Sequence, residues 1–153
     1  TKVSGAQAAG CAPIVKAFEE NTSVIRSVTP DTAIRSLSVG NPADGVYAAQ
    51  AIRDSRGFAV SSTDRAIMDG VRMLAEAEGV YADPAGGAVV MALRTLLERK
   101  RVKANEQVVL VIPARGATTP DASETAARQP RSIKPDLDAL KDLLQSMGGS
   151  YGG

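Results

Sequence analysis

The stretch that most limits how this chain can fold is Gln107-Val108-Val109-Leu110-Val111-Ile112. It is a continuous apolar run dominated by β-branched residues. A strand of that kind fits where both of its faces are covered, as in a parallel sheet packed between helices. Residues 3–7 and 58–61 read as two further strands, and single helices fall between the strands. That alternation predicts an α/β fold with a mostly parallel sheet flanked by helices.

The helices announce themselves by their ends. Pro13 suits the first turn of a helix that carries Ile14, Val15 and Phe18 on one face. Residues 21–44 are less regular, and Gly40-Asn41-Pro42 marks a tight turn. Asp44 is placed to cap a helix through Val46, Ala49 and Ile52 that stops at Gly57. Thr63 is placed to cap the next, with Asp64 in its first turn and Ile67, Val71 and Leu74 at helical spacing before Gly79 ends it. A brief extended piece, residues 80–82, leads into Asp83-Pro84, which opens the clearest helix of the chain. Its stripe is Gly86, Val89, Val90, Leu93, Leu96 and Leu97. Arg99-Lys100-Arg101 then falls where cations oppose the negative end of a helix dipole.

After Pro113 the character changes. Residues 114–135 hold Pro, Thr, Ser, Ala and Arg with little periodicity, and read as a linker or a surface wrap. Leu137, Leu140, Leu143, Leu144 and Met147 form an amphipathic helix expected over 136–147, and the tail 148–153 is expected to be disordered. The α/β portion is therefore expected to span residues 1–113.

Composition narrows the chemistry. The 18 Lys and Arg residues nearly balance the 17 Asp and Glu, a formal charge of +1. That balance argues against a nucleic-acid surface, which shows a basic excess on one face. With no histidine and a single cysteine, Cys11, zinc sites and Ser-His or Cys-His catalysis have almost no material to work with, so no metal is expected. One cysteine also excludes an intrachain disulfide and points to a reducing compartment. There is no apolar run of roughly 18 residues that would span a membrane and no basic-then-apolar leader. The expectation is a cytoplasmic chain that contacts neither membrane nor nucleic acid. It opens without Met, directly on a strand-like segment, as a processed or excised fragment would.

Two short segments are candidate sites. Asp83-Pro84-Ala85-Gly86-Gly87 sets small residues at a helix start after a strand, where a ligand can approach the amides at the positive helix end. Close helix–sheet packing is the simpler account of the same residues. Gly40-Asn41-Pro42 is likewise a turn first and a site second. The acidic pairs, Glu19 with Glu20 and Glu76 with Glu78, fall on exposed faces and serve solvation rather than acid–base catalysis.

The order of several motifs adds a resemblance. Gly5-Ala6-Gln7-Ala8-Ala9-Gly10-Cys11-Ala12-Pro13-Ile14-Val15 resembles the strand-to-helix segment of threonine synthases, a G-x-Q-A-x-G-x-A-P-x-V run. Thr32-Ala33-Ile34-Arg35 and Val39-Gly40-Asn41-Pro42-Ala43 are similar to that family's T-A-I-R-I-G-N-P stretch, interrupted here by Ser36-Leu37-Ser38. Ala59-Val60-Ser61-Ser62-Thr63-Asp64-Arg65-Ala66-Ile67 and Glu78-Gly79-Val80-Tyr81-Ala82-Asp83-Pro84-Ala85-Gly86 resemble its V-T-D-E-E-I and E-G-I-F-x-E-P-A-[SG] segments. The matches keep their order over residues 3–112.

The resemblance implies the C-terminal half of a fold-type II pyridoxal 5'-phosphate enzyme, with the architecture of the tryptophan synthase β chain. It implies a lyase that converts O-phosphohomoserine, an amino-acid phosphate ester, into threonine and phosphate. Amino-acid dehydratases and cysteate synthases share the fold and stay open as sibling activities, as does a non-catalytic interaction module derived from this half. By the same resemblance, Gly40, Asn41 and Pro42 lie near one face of the cofactor ring, and Asp83, Ala85 and Gly86 line the far side. The residue after the last strand is implied to be a Thr or Ser whose hydroxyl meets the pyridine nitrogen; Pro113 stands there instead. The cofactor's lysine and phosphate loop belong to the family's N-terminal half. None of Lys2, Lys16, Lys100, Lys103, Lys134 and Lys141 sits in a matching context, so no catalytic residue is assigned. The implied partner is the N-terminal half of the same enzyme, or a second copy.

Overall fold

A computed structural model describes residues 1–116 and 132–146. Two strands, β1 (Gly5–Ala8) and β2 (Ala59–Ser62), pair in parallel with Gly5 opposite Ala59 and Ala8 opposite Ser62. Parallel strands need a long crossover. Here it holds α1 (Pro13–Glu19), a 3-10 turn (Arg35–Leu37) and α2 (Gly45–Asp54). β2 leads into α3 (Asp64–Glu78), α4 (Pro84–Glu98) follows, and α5 (Leu137–Ser146) is the last described element.

Successive strand residues point to opposite faces, and both faces are used. Ala59 packs with Val15 of α1 and Ile52 of α2 on one side. Val60 packs with Ala92 and Leu96 of α4 on the other, joined by Ala6, Phe58 and Val102. A third cluster joins Ala8 at the end of β1 to Ile34, Ile67 of α3 and Ala88 of α4. The sheet is small, yet it has the double cover that parallel sheets require.

The helix ends follow local chemistry, with one substitution of means. Thr63 Oγ1 accepts from the Ala66 N–H at 3.3 Å, and Gly79 takes the left-handed conformation (φ 67°) that ends α3. Asp44 occupies the cap position of α2 but its side chain makes no cap bond. The turn that ends α2 falls earlier than expected: the helix stops at Asp54 and Arg56 carries the positive φ of 57°. At α1, no local side chain caps the start. Gln7 reaches over from β1 instead, its Oε1 accepting from the N–H groups of Ile14 and Val15, both at 3.0 Å. A seven-residue helix gains little by itself, and this bond fixes it to the sheet.

One expectation is overturned. Residues 107–112 are not a covered strand: Val109 is 85% exposed and Val111 71%, and no backbone ladder forms there. The composition fits a sheet interior, but the described sheet ends at two strands and offers the run no neighbour. The run is nevertheless held before its start. Glu106 Oε1 accepts from Lys2 Nζ at 2.8 Å and its Oε2 from the Lys103 N–H at 2.8 Å. The Lys2 ammonium first, then the Lys103 amide, keep the Glu106 carboxyl below the usual glutamate range.

The last helix forms where expected, yet none of its residues is buried, and Leu137 is 65% exposed. Met147, the expected tail 148–153, and most of the expected linker 114–135 lie outside the described residues. Among the described residues, no helix is long and apolar enough to cross a membrane.

Candidate functional site

The start of α4 collects four of the expected site residues. Asp83 is 4% exposed; its Oδ1 accepts from the Gly86 N–H at 3.1 Å and its carbonyl from the Gly87 N–H at 3.2 Å. The carboxylate thus meets the positive end of the helix dipole. The Asp83 N–H donates to the Ala114 carbonyl at 3.1 Å, and the Gly116 N–H donates to the Tyr81 carbonyl at 3.0 Å. Ala82 and Arg115 complete an antiparallel bridge. These bonds lace residues 114–116 to residues 81–83, and Ile112 lies against Gly86, so the chain on either side of Pro113 is held at the start of α4. Pro113 itself is exposed, and Ala85 is half-buried.

The small residues at this end are filled by the chain's own atoms. A Cβ on Gly86 would lie 2.7 Å from the Ala82 Cβ and 3.0 Å from the Ile112 Cγ2. One on Gly116 would lie 2.7 Å from the Tyr81 Cδ1 and 2.8 Å from the Ala82 carbonyl oxygen. Close packing therefore accounts for Gly86 and Gly116 as they stand. Every buried side-chain polar atom among the described residues has a partner, so no orphaned group is left here to call for a ligand.

Asp83 can be tested directly. Asp83→Ala removes the cap and should cost about 1 kcal/mol of stability, whereas Asp83→Asn keeps an acceptor oxygen and should cost less. Urea unfolding midpoints would read the difference; equal midpoints for wild type and Asp83→Ala would mean that Asp83 does not secure this end of α4.

The second candidate segment is anchored elsewhere. The Val28 N–H donates to the Gly40 carbonyl at 3.0 Å, and a Cβ on Gly40 would lie 3.1 Å from the Pro30 Cδ. Pro42 accepts from the Gly45 N–H at 3.2 Å, and Asn41 is exposed. Among the described residues no hydrogen bond links this turn to residues 81–86. The two expected walls of the site are thus separate constructions on the same framework.

What ties them to that framework was not singled out from the sequence. Asp64 accepts from the Thr32 hydroxyl through Oδ1 and from the Ala33 N–H through Oδ2, both at 2.7 Å. The Thr32 Oγ1 in turn accepts from the Ile34 N–H at 3.2 Å. That bracket drives Ile34, 5% exposed, into the cluster with Ala88 of α4. In the sequence Asp64 stands as a first-turn acid and Gln7 as the end of a strand, each inside a motif of the resemblance, and neither position announces these bonds. A carboxylate directly after a cap residue, and a lone polar residue among strand alanines and glycine, were the signals available.

A cofactor that attaches through a lysine amine finds no anchor in this chain. Lys2, Lys16, Lys100, Lys103, Lys134 and Lys141 are all exposed. The chain thus offers no buried amine for such an attachment.

Comparison with known proteins agrees in extent and in kind. Threonine synthases from Methanocaldococcus jannaschii, Methanosarcina acetivorans and Synechocystis are similar to this chain. The first is 33% identical over 147 residues, 95% of this chain and 36% of that protein. The second is 31% identical over 144 residues, 94% of this chain and 36% of that protein. The third is 34% identical over 145 residues, again 94% of this chain and 36% of that protein. The chain therefore spans little more than a third of the length of these relatives. Residues 1–114 match the model of a family described as pyridoxal-phosphate dependent enzyme. With helices on both faces of a parallel sheet and a family match over most of its length, the chain belongs to the pyridoxal-phosphate dependent enzymes, and pyridoxal phosphate is the cofactor that membership implies for the complete enzyme.

Proposed function

We propose that this chain supplies the C-terminal portion of a threonine-synthase-like lyase and, with it, part of the cofactor pocket. One observation carries the reading: the threonine synthase of Methanocaldococcus jannaschii aligns with 95% of this chain but over only 36% of its own length. The reaction so assigned removes phosphate from O-phosphohomoserine and adds water to give threonine. Pyridoxal phosphate, when bound, supplies the electron sink for such chemistry.

The chain's own part is positioning. Asp83 holds the first turn of α4 and, through its N–H, the loop that carries Pro113. Ala85 and Gly86 would then offer a small, apolar wall to one side of the ring. Gly40, Asn41 and Pro42 would offer the other, as a turn bonded through the Gly40 carbonyl to the Val28 N–H. Pro113 brings neither a hydroxyl nor an N–H to its position, so a donor to the ring nitrogen has to come from another residue. The lysine and the phosphate loop come from the complementary N-terminal portion.

Co-expression of this chain with that portion, as two separate polypeptides, tests the reading. The expected result is a complex with the visible absorbance of bound pyridoxal phosphate and with phosphate release from O-phosphohomoserine. A stable complex without cofactor absorbance would sink it. A second reading, a non-catalytic interaction module derived from this half, is favoured by Pro113; a complex that forms but releases no phosphate would support it. Turnover of a different amino acid by the same complex would point to a sibling dehydratase or cysteate synthase.

A further inference from the structure

Residues 107–112 have a strand's composition and a strand's pattern of exposure but no partner. None of them has a hydrogen bond among the described residues. Exposure alternates with the period of a strand: Leu110 and Ile112 are half-buried, while Val109 and Val111 are 85% and 71% exposed. The Ile112 side chain reaches the first turn of α4, its Cγ2 lying 3.0 Å from where a Gly86 Cβ would stand.

The direction of the run is also fixed. Before its start, Glu106 is bonded to Lys2, which precedes β1. Beyond its end, Ala114 and Gly116 are bonded to Asp83 and Tyr81 at the start of α4. α4 runs against the strands, since its Ala88 meets Ala8 at the end of β1 while its Leu96 meets Val60 and Phe58 near the start of β2. The run therefore travels from the level of the strand starts to the level of the strand ends, parallel to β1 and β2. Unpaired backbone flanked by exposed valines is a template for strand addition.

We infer that residues 107–112 are the docking strand through which this chain joins the remainder of the longer enzyme, whose own strand pairs with this backbone and whose side chains cover Val109 and Val111. The inference rests on the reading that such a remainder exists. Two observations choose that occupant over a second copy of this chain. The relatives are nearly three times longer than the matched part, as the 36% coverage shows. The run also lies parallel to a sheet covered on both faces, which is how strands in the interior of a larger parallel sheet are built. A twofold partner would instead pair this run antiparallel with itself.

Val109→Lys tests it, measured against the complementary N-terminal portion expressed as a separate chain. In the isolated chain this exposed substitution should leave the thermal midpoint unchanged. In the complex a lysine would be buried without a partner, and binding should weaken by about 100-fold. Tyr47→Lys on α2, at a residue 72% exposed, should leave binding as it is. The amides of residues 107–112 should exchange freely in the isolated chain and become protected in the complex. Wild-type binding by Val109→Lys, or unprotected amides in a complex that still forms, would overturn the docking strand and leave the proposed function standing. Failure of the wild-type chain to bind the N-terminal portion at all would overturn both. A homodimer that Val109→Lys dissolves, with binding to the N-terminal portion unchanged, would overturn it in favour of self-pairing.

Discussion

Gly87→Val should cost this chain about 3 kcal/mol, the upper end of what an overpacked interior usually loses. The reason is that α3 and α4 meet through backbone. A Cβ on Gly87 would lie 2.7 Å from the Val71 Cγ2 and 3.0 Å from the Val71 nitrogen, with the Ile67 carbonyl oxygen closer still. Gly70 faces it: a Cβ there would lie 2.9 Å from the Met91 Cγ and 3.1 Å from the Gly87 carbonyl carbon. A flexible side chain could swing aside, but the carbonyl of Ile67 is fixed in its helix. The helices would have to separate, and α4 would be drawn off the strands it covers. Alanine at the same position places the same first atom, so Gly87→Ala should also destabilise, though its better helix propensity offsets about 1 kcal/mol. Thermal unfolding followed by circular dichroism should show the Val variant melting on the order of 10 °C lower. A midpoint within a degree or two of wild type would mean that the helices are not held at this separation.

The helices were legible because their ends are written locally. Asp83 before Pro84, Thr63 before Asp64 and Gly79 past the last turn each act over a few residues, and each is found in place. Residues 107–112 show the opposite case. β-branched residues record that a segment suits a sheet interior, but not whether a neighbouring strand is at hand to pair with it. Gln7 fails differently. A glutamine in a strand gives no hint that a helix start, seven residues on, will lie within reach of its side chain. Asp44 shows the limit of the local rule itself, since the right residue at the right position makes no bond.

The candidate site divides along the same line. That the chain around Pro113 returns to the helix start at Asp83 depends on bonds from Asp83 to Ala114 and from Gly116 to Tyr81, both far apart in sequence. Spacing could not have given that; only the ordered resemblance brought those segments under one heading. The turn at Gly40 was legible as a turn because Gly-Asn-Pro dictates one. Its attachment to Val28 was not. The Asp64–Thr32 bracket spans 32 residues and was likewise hidden, although both residues lie inside motifs that carry the resemblance.

Those motif segments converge on one side chain, and it carries the other large effect. Ile67 has 0% of its surface exposed and packs with Ala8 of β1, Ile34 from the bracketed segment and Ala88 of α4. Two of those neighbours are alanines, which have no side-chain torsion by which to move into a void. Ile67→Ala should therefore leave most of its cavity open and cost about 4 kcal/mol, toward the high end for such truncations. Ile67→Val removes one methylene and should cost about 1 kcal/mol. Against a total of roughly 5–15 kcal/mol for a domain, the alanine variant stands near the edge of folding, while the valine variant does not. Denaturant midpoints for the pair decide the point, because a well-packed junction predicts a wide gap and a loosely packed one predicts nearly equal losses. A narrow gap would mean that β1, the Ile34 segment and α4 are not locked together at Ile67, and that the Thr32 segment and the start of α4 are held by Asp64 and Asp83 alone.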